Sequence, residues 1–574
     1  MMMKPKIGMC FSGGGYRAAT FDLGVLSFLN SVQLEDDTPL LDCVVALSSV
    51  SGGTIPAMKY MLARAQKLSV DGMIKELFRV LCEEDLVDKA LKRLKEEKAN
   101  PNISSIKIMA EIYDSYLFDN KDRTLDLGVI IDNFTHIPVK DYTALATDFQ
   151  SSLPFRFRLT EGALTRTNRE THPYFGNNDH RISLEDARYI TPGEAMACSS
   201  CFPSGFEPMM FPDDFRISQL PEAAKYRTEV EKDKGKDKDK DSIELRGFGI
   251  MDGGIADNQG IESILMAEKF MADHSGNKGA AGGGSTEDGS DAATDCSDSP
   301  MLDLIIVSDV ASPYMDGYSP NKKLLPDWLG RLTIGRLRNY CWIIGGVSLA
   351  FLALAWTKGN SFWTGFTALL FVISLLLNAG GWWLKKWAFN KIAATFVGDR
   401  ARFVNHVKFS TLWPMLMNRA RSIVIMSSEV FLKRMRQLNY GRIYDDERWK
   451  NRSITNLIYE LRENQNWASM TRNGTMPDYL APSKKIQENS AKAANMGSTL
   501  WFTQEDKEAR VPQALMAAGQ YTICFNLLNY IYRIKKDKTN LSRAHQTIIA
   551  LESKLMAAWE KFQDDPLWMV NKIG

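Results

Sequence analysis

Over the first seventy residues, short continuous apolar runs alternate with segments of helical period. KIGMCF predicts a strand, and AATFDLGVLSFLNSV carries Ala19, Leu23, Leu26 and Leu29 at helical spacing. CVVALSS suits a strand buried on both faces, followed by Gly52-Gly53 and the helical TIPAMKYMLARA with Pro56 in its first turn. Two successive strand–helix units predict an α/β sheet. DYTALATDF, LPFRFRL, GFGIMD and LDLIIVSDV read as further strands, and IESILMAEKFMA as a helix. Residues 71–125 and 388–574 are mainly helical by pattern, and TPGEAMACSSCFPSGFEPMMF (191–211) begins helical and stops at Pro203.

Two stretches break this soluble pattern. Residues 340–356 and 361–384 carry no charge and are separated only by Thr357, Lys358, Gly359 and Asn360. A membrane-spanning helix needs about 20 apolar residues; the second stretch meets that length and the first is near its lower limit. Trp342, Trp356, Trp363, Trp382 and Trp383 gather towards the ends, as interfacial aromatics do. Cations flank the pair: Lys322, Lys323, Arg331, Arg336 and Arg338 before it, Lys385, Lys386, Lys391, Arg400 and Arg402 after it. The expectation is a transmembrane helical hairpin over 339–387 with both flanks in the cytoplasm. The competing reading is a hairpin buried in a large soluble core. The N-terminal apolar run is too short for a signal peptide, so secretion is not expected.

With 574 residues the chain suits two to four domains. Seventy basic against 69 acidic side chains leave a net charge of +1, so no general field draws nucleic acid, and none is expected as a partner. Eight cysteines are too few for a disulfide scaffold and fit a reducing compartment. No spacing of Cys, His or carboxylates resembles a metal site, and no cofactor is expected. The charged run within 228–243 and the Gly/Ser/Asp-rich run 275–300 are read as flexible inserts within a domain spanning 1–335. The oligomeric state stays open.

Three motifs carry candidate chemistry. In SSVSGG (48–53) the frame Ser49-Val50-Ser51-Gly52-Gly53 approximates the strand–turn–helix elbow that exposes a nucleophilic serine, with Ser49 where a glycine usually stands. Read plainly, it is a helix start with incidental glycines. SGGGYRA (12–18) follows the first strand, and its glycine amides at a helix start suit an anion or an oxyanion. Gly13-Gly14-Gly15-Tyr16-Arg17-Ala18 also fits a dinucleotide fingerprint, but the acidic residue that this requires at the end of the second strand is replaced by serines and glycines. MDGGIADN (251–258) offers Asp252 as a base, or a tight turn.

In this order the three blocks resemble the patatin-like phospholipases: SGGGYR as the anion-binding loop, SVSGG as the elbow and DGG as the dyad motif. ATDF (146–149) and AMACSSCFPSGFEP (195–208) are similar to further family stretches, with Cys198 and Cys201 at positions usually held by small residues. The resemblance covers about 1–320. It implies a three-layer α/β fold with a mostly parallel central sheet flanked by helices. Here that fold would carry the hairpin and a helical region, 388–574, packed on the catalytic domain. It further implies a serine ester hydrolase acting on membrane phospholipid or another lipid ester. The site residues implied are Ser51 as nucleophile, Asp252 as base, Gly13, Gly14 and Gly15 as oxyanion donors, and Arg17 as support for the anion or substrate. A Ser-Asp dyad needs no histidine, and His136, His172, His180, His274, His406 and His545 stand in no frame for a triad.

Overall fold

The computed structural model describes residues 3–96, 104–164, 174–203, 205–221, 247–280, 301–311, 326, 330–359, 361–384, 408–426, 430–463, 467–537 and 543–573. The insert 228–243, most of the insert 275–300 and the cations Lys322, Lys323, Lys385, Lys386, Lys391, Arg400 and Arg402 lie outside them. The chain divides into two compact units, Met1–Tyr314 with Ser428–Gly574, and Met315–Ser427.

In the first unit a mixed ten-stranded sheet runs in the order β10-β9-β1-β2-β3-β4-β5-β6, with β8 on β3 and β7 on β8. Its strands are β1 (Ile7–Phe11), β2 (Val44–Val50), β3 (Asp141–Asp148), β4 (Pro154–Thr160), β5 (Tyr174–Gly176), β6 (Arg181–Ser183), β7 (Met209–Phe211), β8 (Phe248–Asp252), β9 (Leu304–Asp309) and β10 (Ser453–Leu457). The run β10-β9-β1-β2-β3 is parallel, and every pairing beyond it is antiparallel. The sheet is therefore mixed, not mostly parallel. The reason is local: five residues join β3 to β4, enough for a hairpin and too few for a crossover helix.

Helices cover both faces. Those used below are α1 (Gly15–Ser31), α2 (Thr54–Ala65), α3 (Pro192–Ser200), α4 (Ile261–Ala280) and α8 (Val511–Lys536); α5 (Ile334–Thr357), α6 (Ser361–Leu384) and α7 (Phe409–Ile425) belong to the second unit. Strand alternation sorts the central side chains: Ile7, Met9, Phe11, Leu304 and Ile306 enter one core with α1, α2 and α8, while Cys10, Ile305 and Val307 enter the other with Ile261 and Ile264 of α4. Helix α4 continues to Ala280, through the first residues of the Gly/Ser/Asp-rich run. Helix α8 is buried along most of its length and meets α1 at two glycines. A β-carbon on Gly24 would come within 2.1 Å of the Met516 carbonyl oxygen, and one on Gly519 within 2.0 Å of that of Phe21.

In the second unit α5 and α6 pack on each other with small polar residues inside. Ser348, Thr367 and Ser374 are buried, the Ser374 hydroxyl donates to the Cys341 carbonyl, and Gly345 faces Ser374. The large apolar side chains point outward, among them Ile343, Phe351, Leu354, Leu369, Leu376 and Leu377. Asn339–Thr357 and Ser361–Ala379 are long and apolar enough to cross a membrane, and only 11% of the most apolar stretch of each is buried. A hairpin in a soluble core has the reverse arrangement.

Candidate active site

The parallel pairing of β1 and β2 sets the glycine loop and the Ser51 turn side by side at the carboxyl ends of adjacent strands. Ser51 follows β2 at φ 48, a left-handed conformation costly for any residue with a β-carbon, and then leads through a single 3-10 turn into α2. The turn closes only because its neighbours are glycines. A β-carbon on Gly52 would lie 2.1 Å from the Gly15 carbonyl oxygen and 2.6 Å from the Gly15 amide nitrogen; one on Gly53 would lie 2.7 Å from the Ser12 carbonyl oxygen.

Asp252 reaches this point from a distant part of the chain. Along one edge of β3, β2 pairs up to Val50 opposite Leu145, and β8 takes over with Asp252 opposite Ala146. Ala146 pairs with β4 on its other edge, so β2 and β8 occupy the same lane and meet end to end. Their last residues, Val50-Ser51 and Asp252, therefore come together although two hundred positions separate them. The Asp252 carboxyl is buried and accepts the Gly254 amide at 2.6 Å. Burial pushes its pKa up to about 6, held back by the Gly254 amide and by the Ser51 hydroxyl.

The glycine loop takes a shape open to glycine, with Gly14 at φ 151 and Gly15 at φ 60. The Gly13 amide donates to the Asn258 carbonyl at 3.0 Å and the Tyr16 amide to that of Thr499 at 2.7 Å. Among the described residues the amides of Gly14 and Gly15 have no acceptor, and both glycines and Ser51 are partly exposed. Arg17 donates to the Met496 carbonyl at 2.7 Å and to Ser498 Oγ at 2.9 Å, so its guanidinium holds the C-terminal segment 496–499 beside the loop. Asp257 accepts the amides of Gln259, Gly260 and Glu262 and caps the start of α4. His180 bonds the Asp148 carboxylate and stacks on Phe248.

Sequence reasoning passed over Ser199, at the end of α3. Its hydroxyl donates to the Leu145 carbonyl at 2.7 Å, accepts the Ser51 amide at 2.9 Å and meets Thr54 Oγ1 at 3.0 Å, while its carbonyl accepts the Gly253 amide. One residue thus ties the Ser51 turn to the Asp252 turn. Its signal was present in the AMACSSCFP stretch, but nothing in the sequence set Ser199 apart from Ser200.

No family model matches the chain, and no curated protein does. Among solved structures, human GIVD cytosolic phospholipase A2 is 17% identical over 34% of this chain and 28% of that one, with a TM-score of 0.23. The same human enzyme in complex with methyl gamma-linolenyl fluorophosphonate and terbium chloride is 18% identical over 36% and 34%, with a TM-score of 0.21. The chain thus matches about a third or less of the length of these proteins, and likenesses at this level carry no weight for function.

Proposed function

We propose that this protein is a lipid acyl hydrolase that cleaves carboxylic ester bonds through a Ser51–Asp252 dyad of the patatin-like kind. The observation that supports it most is the end-to-end meeting of β2 and β8, which brings a strained serine and a buried carboxylate to the same strand ends, beside the Gly14 and Gly15 amides that have no acceptor among the described residues. Ionised Asp252 takes the Ser51 proton as Oγ attacks the ester carbonyl, and the oxyanion is held by the amides of Gly14 and Gly15. Gly13, whose amide is already engaged, shapes the loop, and Arg17 acts on it through segment 496–499. The tetrahedral intermediate collapses as Asp252 returns the proton to the departing alcohol. Water, activated by the same carboxylate, then releases the fatty acid from the acyl-serine. A base with a pKa of about 6 is matched to work near neutrality.

The outward apolar faces of α5 and α6 support a hairpin in the bilayer, with the catalytic unit on the cytoplasmic side by the distribution of cations. Anchoring keeps the site at a high local concentration of insoluble substrate. The test is to incubate the full chain in phospholipid vesicles, follow fatty-acid release, and map covalent labelling by a fluorophosphonate. The expected result is release together with a labelled Ser51 peptide; a folded chain that neither releases fatty acid nor labels at Ser51 overturns the proposal.

Ser199 supplies a finer check. Ser199→Ala leaves the Ser51 amide and the Thr54 hydroxyl short of a partner, at about 1–3 kcal/mol. The expected outcome is a kcat lower by roughly tenfold or more with KM unchanged, and a fluorophosphonate labelling rate that falls in step. A variant that lowers only the melting temperature restricts Ser199 to the fold.

A further inference from the structure

We infer that α7 is a third membrane-contacting element, lying along the headgroup region of an anionic bilayer at the level where the hairpin enters it. The inference rests on the hairpin reading above and adds a surface which that reading does not use.

Trp413, Met417, Ala420 and Val424 follow the spacing 4, 3, 4, and so form one row along the helix, with Ile423 beside it. All of them are exposed, Trp413 by 45%, Met417 by 37%, Val424 by 49% and Ile423 by 68%. The opposite side carries Thr411, Asn418 and Ser422 with Met415 among them, and Ser410 stands at the start of the row. Arg419 and Arg421 border the two faces, Lys408 precedes the first turn, and no acidic residue occurs from Lys408 to Met426. An exposed apolar stripe edged by cations, with no anions, complements a surface of acyl chains beneath negative headgroups. A soluble protein partner would need no such uniform charge.

The placement comes from the backbone. Thr333, whose hydroxyl caps the first turn of α5, forms an antiparallel bridge with Lys408, immediately before α7. The chain therefore leaves the hairpin and starts α7 at the end where the first span begins. At 17 residues α7 is about 26 Å long. Two arginines in its second half rule out a third span, so the apolar stripe is satisfied by lying flat.

The experiment uses the full chain reconstituted in vesicles of phosphatidylcholine and phosphatidylglycerol. Single spin labels are placed at Met417→Cys, Ala420→Cys, Val424→Cys, Asn418→Cys and Ser422→Cys, and at Leu376→Cys in α6 as the reference. The unsubstituted chain, treated alike, gives the background from native thiols, of which Cys82 and Cys341 are partly exposed. Collisions with oxygen report lipid, and those with a water-soluble nickel chelate report solvent. The expected pattern is oxygen access at 417, 420 and 424 at a depth of about 5–10 Å, nickel access at 418 and 422, and deep oxygen access at 376. If 376 is lipid-exposed but 417, 420 and 424 are as open to nickel as 418, the inference about α7 fails and the hairpin stands. If the row is closed to both reagents, protein covers it, and the inference fails equally. Nickel access at 376 overturns the membrane reading itself.

Discussion

Ser51→Ala protein releases fatty acid from phospholipid vesicles at no more than about one ten-thousandth of the native rate. The argument is one of mechanism rather than of packing. Alanine keeps the β-carbon that the turn already accommodates at φ 48 and removes only the hydroxyl facing Asp252. The backbone amide at this position still donates to Ser199, so folding stability stays within about 1 kcal/mol of native. The companion variant Ser51→Gly separates strain from chemistry. It is as inactive, yet about 1 kcal/mol more stable than Ser51→Ala, because glycine accepts the left-handed conformation without the β-carbon penalty. Fatty-acid release and denaturant melts on the same preparations check both halves. Substantial turnover by Ser51→Ala sinks the proposed nucleophile. A glycine variant no more stable than the alanine one removes the strain from the account.

The parts of this site that were legible in the sequence are those encoded locally. Strands β1, β2, β8 and β9 are apolar runs, and the glycines that shape the loops stand beside the residues they serve. The hairpin was legible too, because uncharged length needs no knowledge of neighbours. What stayed hidden depends on pairing. Strand β10 has the sequence SITNL, with two strongly apolar residues in five, and it forms on the parallel edge that β9 offers. Strands β5, β6 and β7 are three residues each, too short for any period to declare itself. That β2 and β8 share one lane on β3 is a property of register, and no motif states it. The engagement of Arg17 by Met496 and Ser498 joins positions almost five hundred residues apart. Read locally, Arg17 looked free to meet a substrate anion. The apolar row of α7 needed exposure as well as spacing, since the same row on α8 is core.

Asp252→Asn gives the second large effect, and its signature is that activity and stability move in opposite directions. The carboxyl has a pKa of about 6 in the folded chain, against an ordinary value of 3.8, because burial disfavours its charged form. The folded protein therefore binds more protons than the unfolded chain between about pH 4 and 6. Its stability falls as pH rises through that window and stays lower above it. Asparagine cannot ionise, retains an oxygen to accept the Gly254 amide, and escapes this cost. At pH 8 the variant is thus more stable than native by up to about 3 kcal/mol, the two-unit shift at 1.36 kcal/mol per unit. At pH 4, where the native carboxyl is itself neutral, the advantage shrinks towards zero. Activity does the reverse. Native turnover rises through an apparent pKa of about 6 as the base ionises, and the variant turns over at roughly 10⁻⁴ of the native plateau at every pH. Denaturant melts in detergent at pH 4 and 8, together with a pH–rate profile, read all of this from two proteins. If the variant loses stability equally at both pH values, Asp252 is chiefly an acceptor that holds the turn at Gly253-Gly254. If native turnover is flat between pH 5 and 8, the proton leaves Ser51 by some other route, and the dyad is wrong.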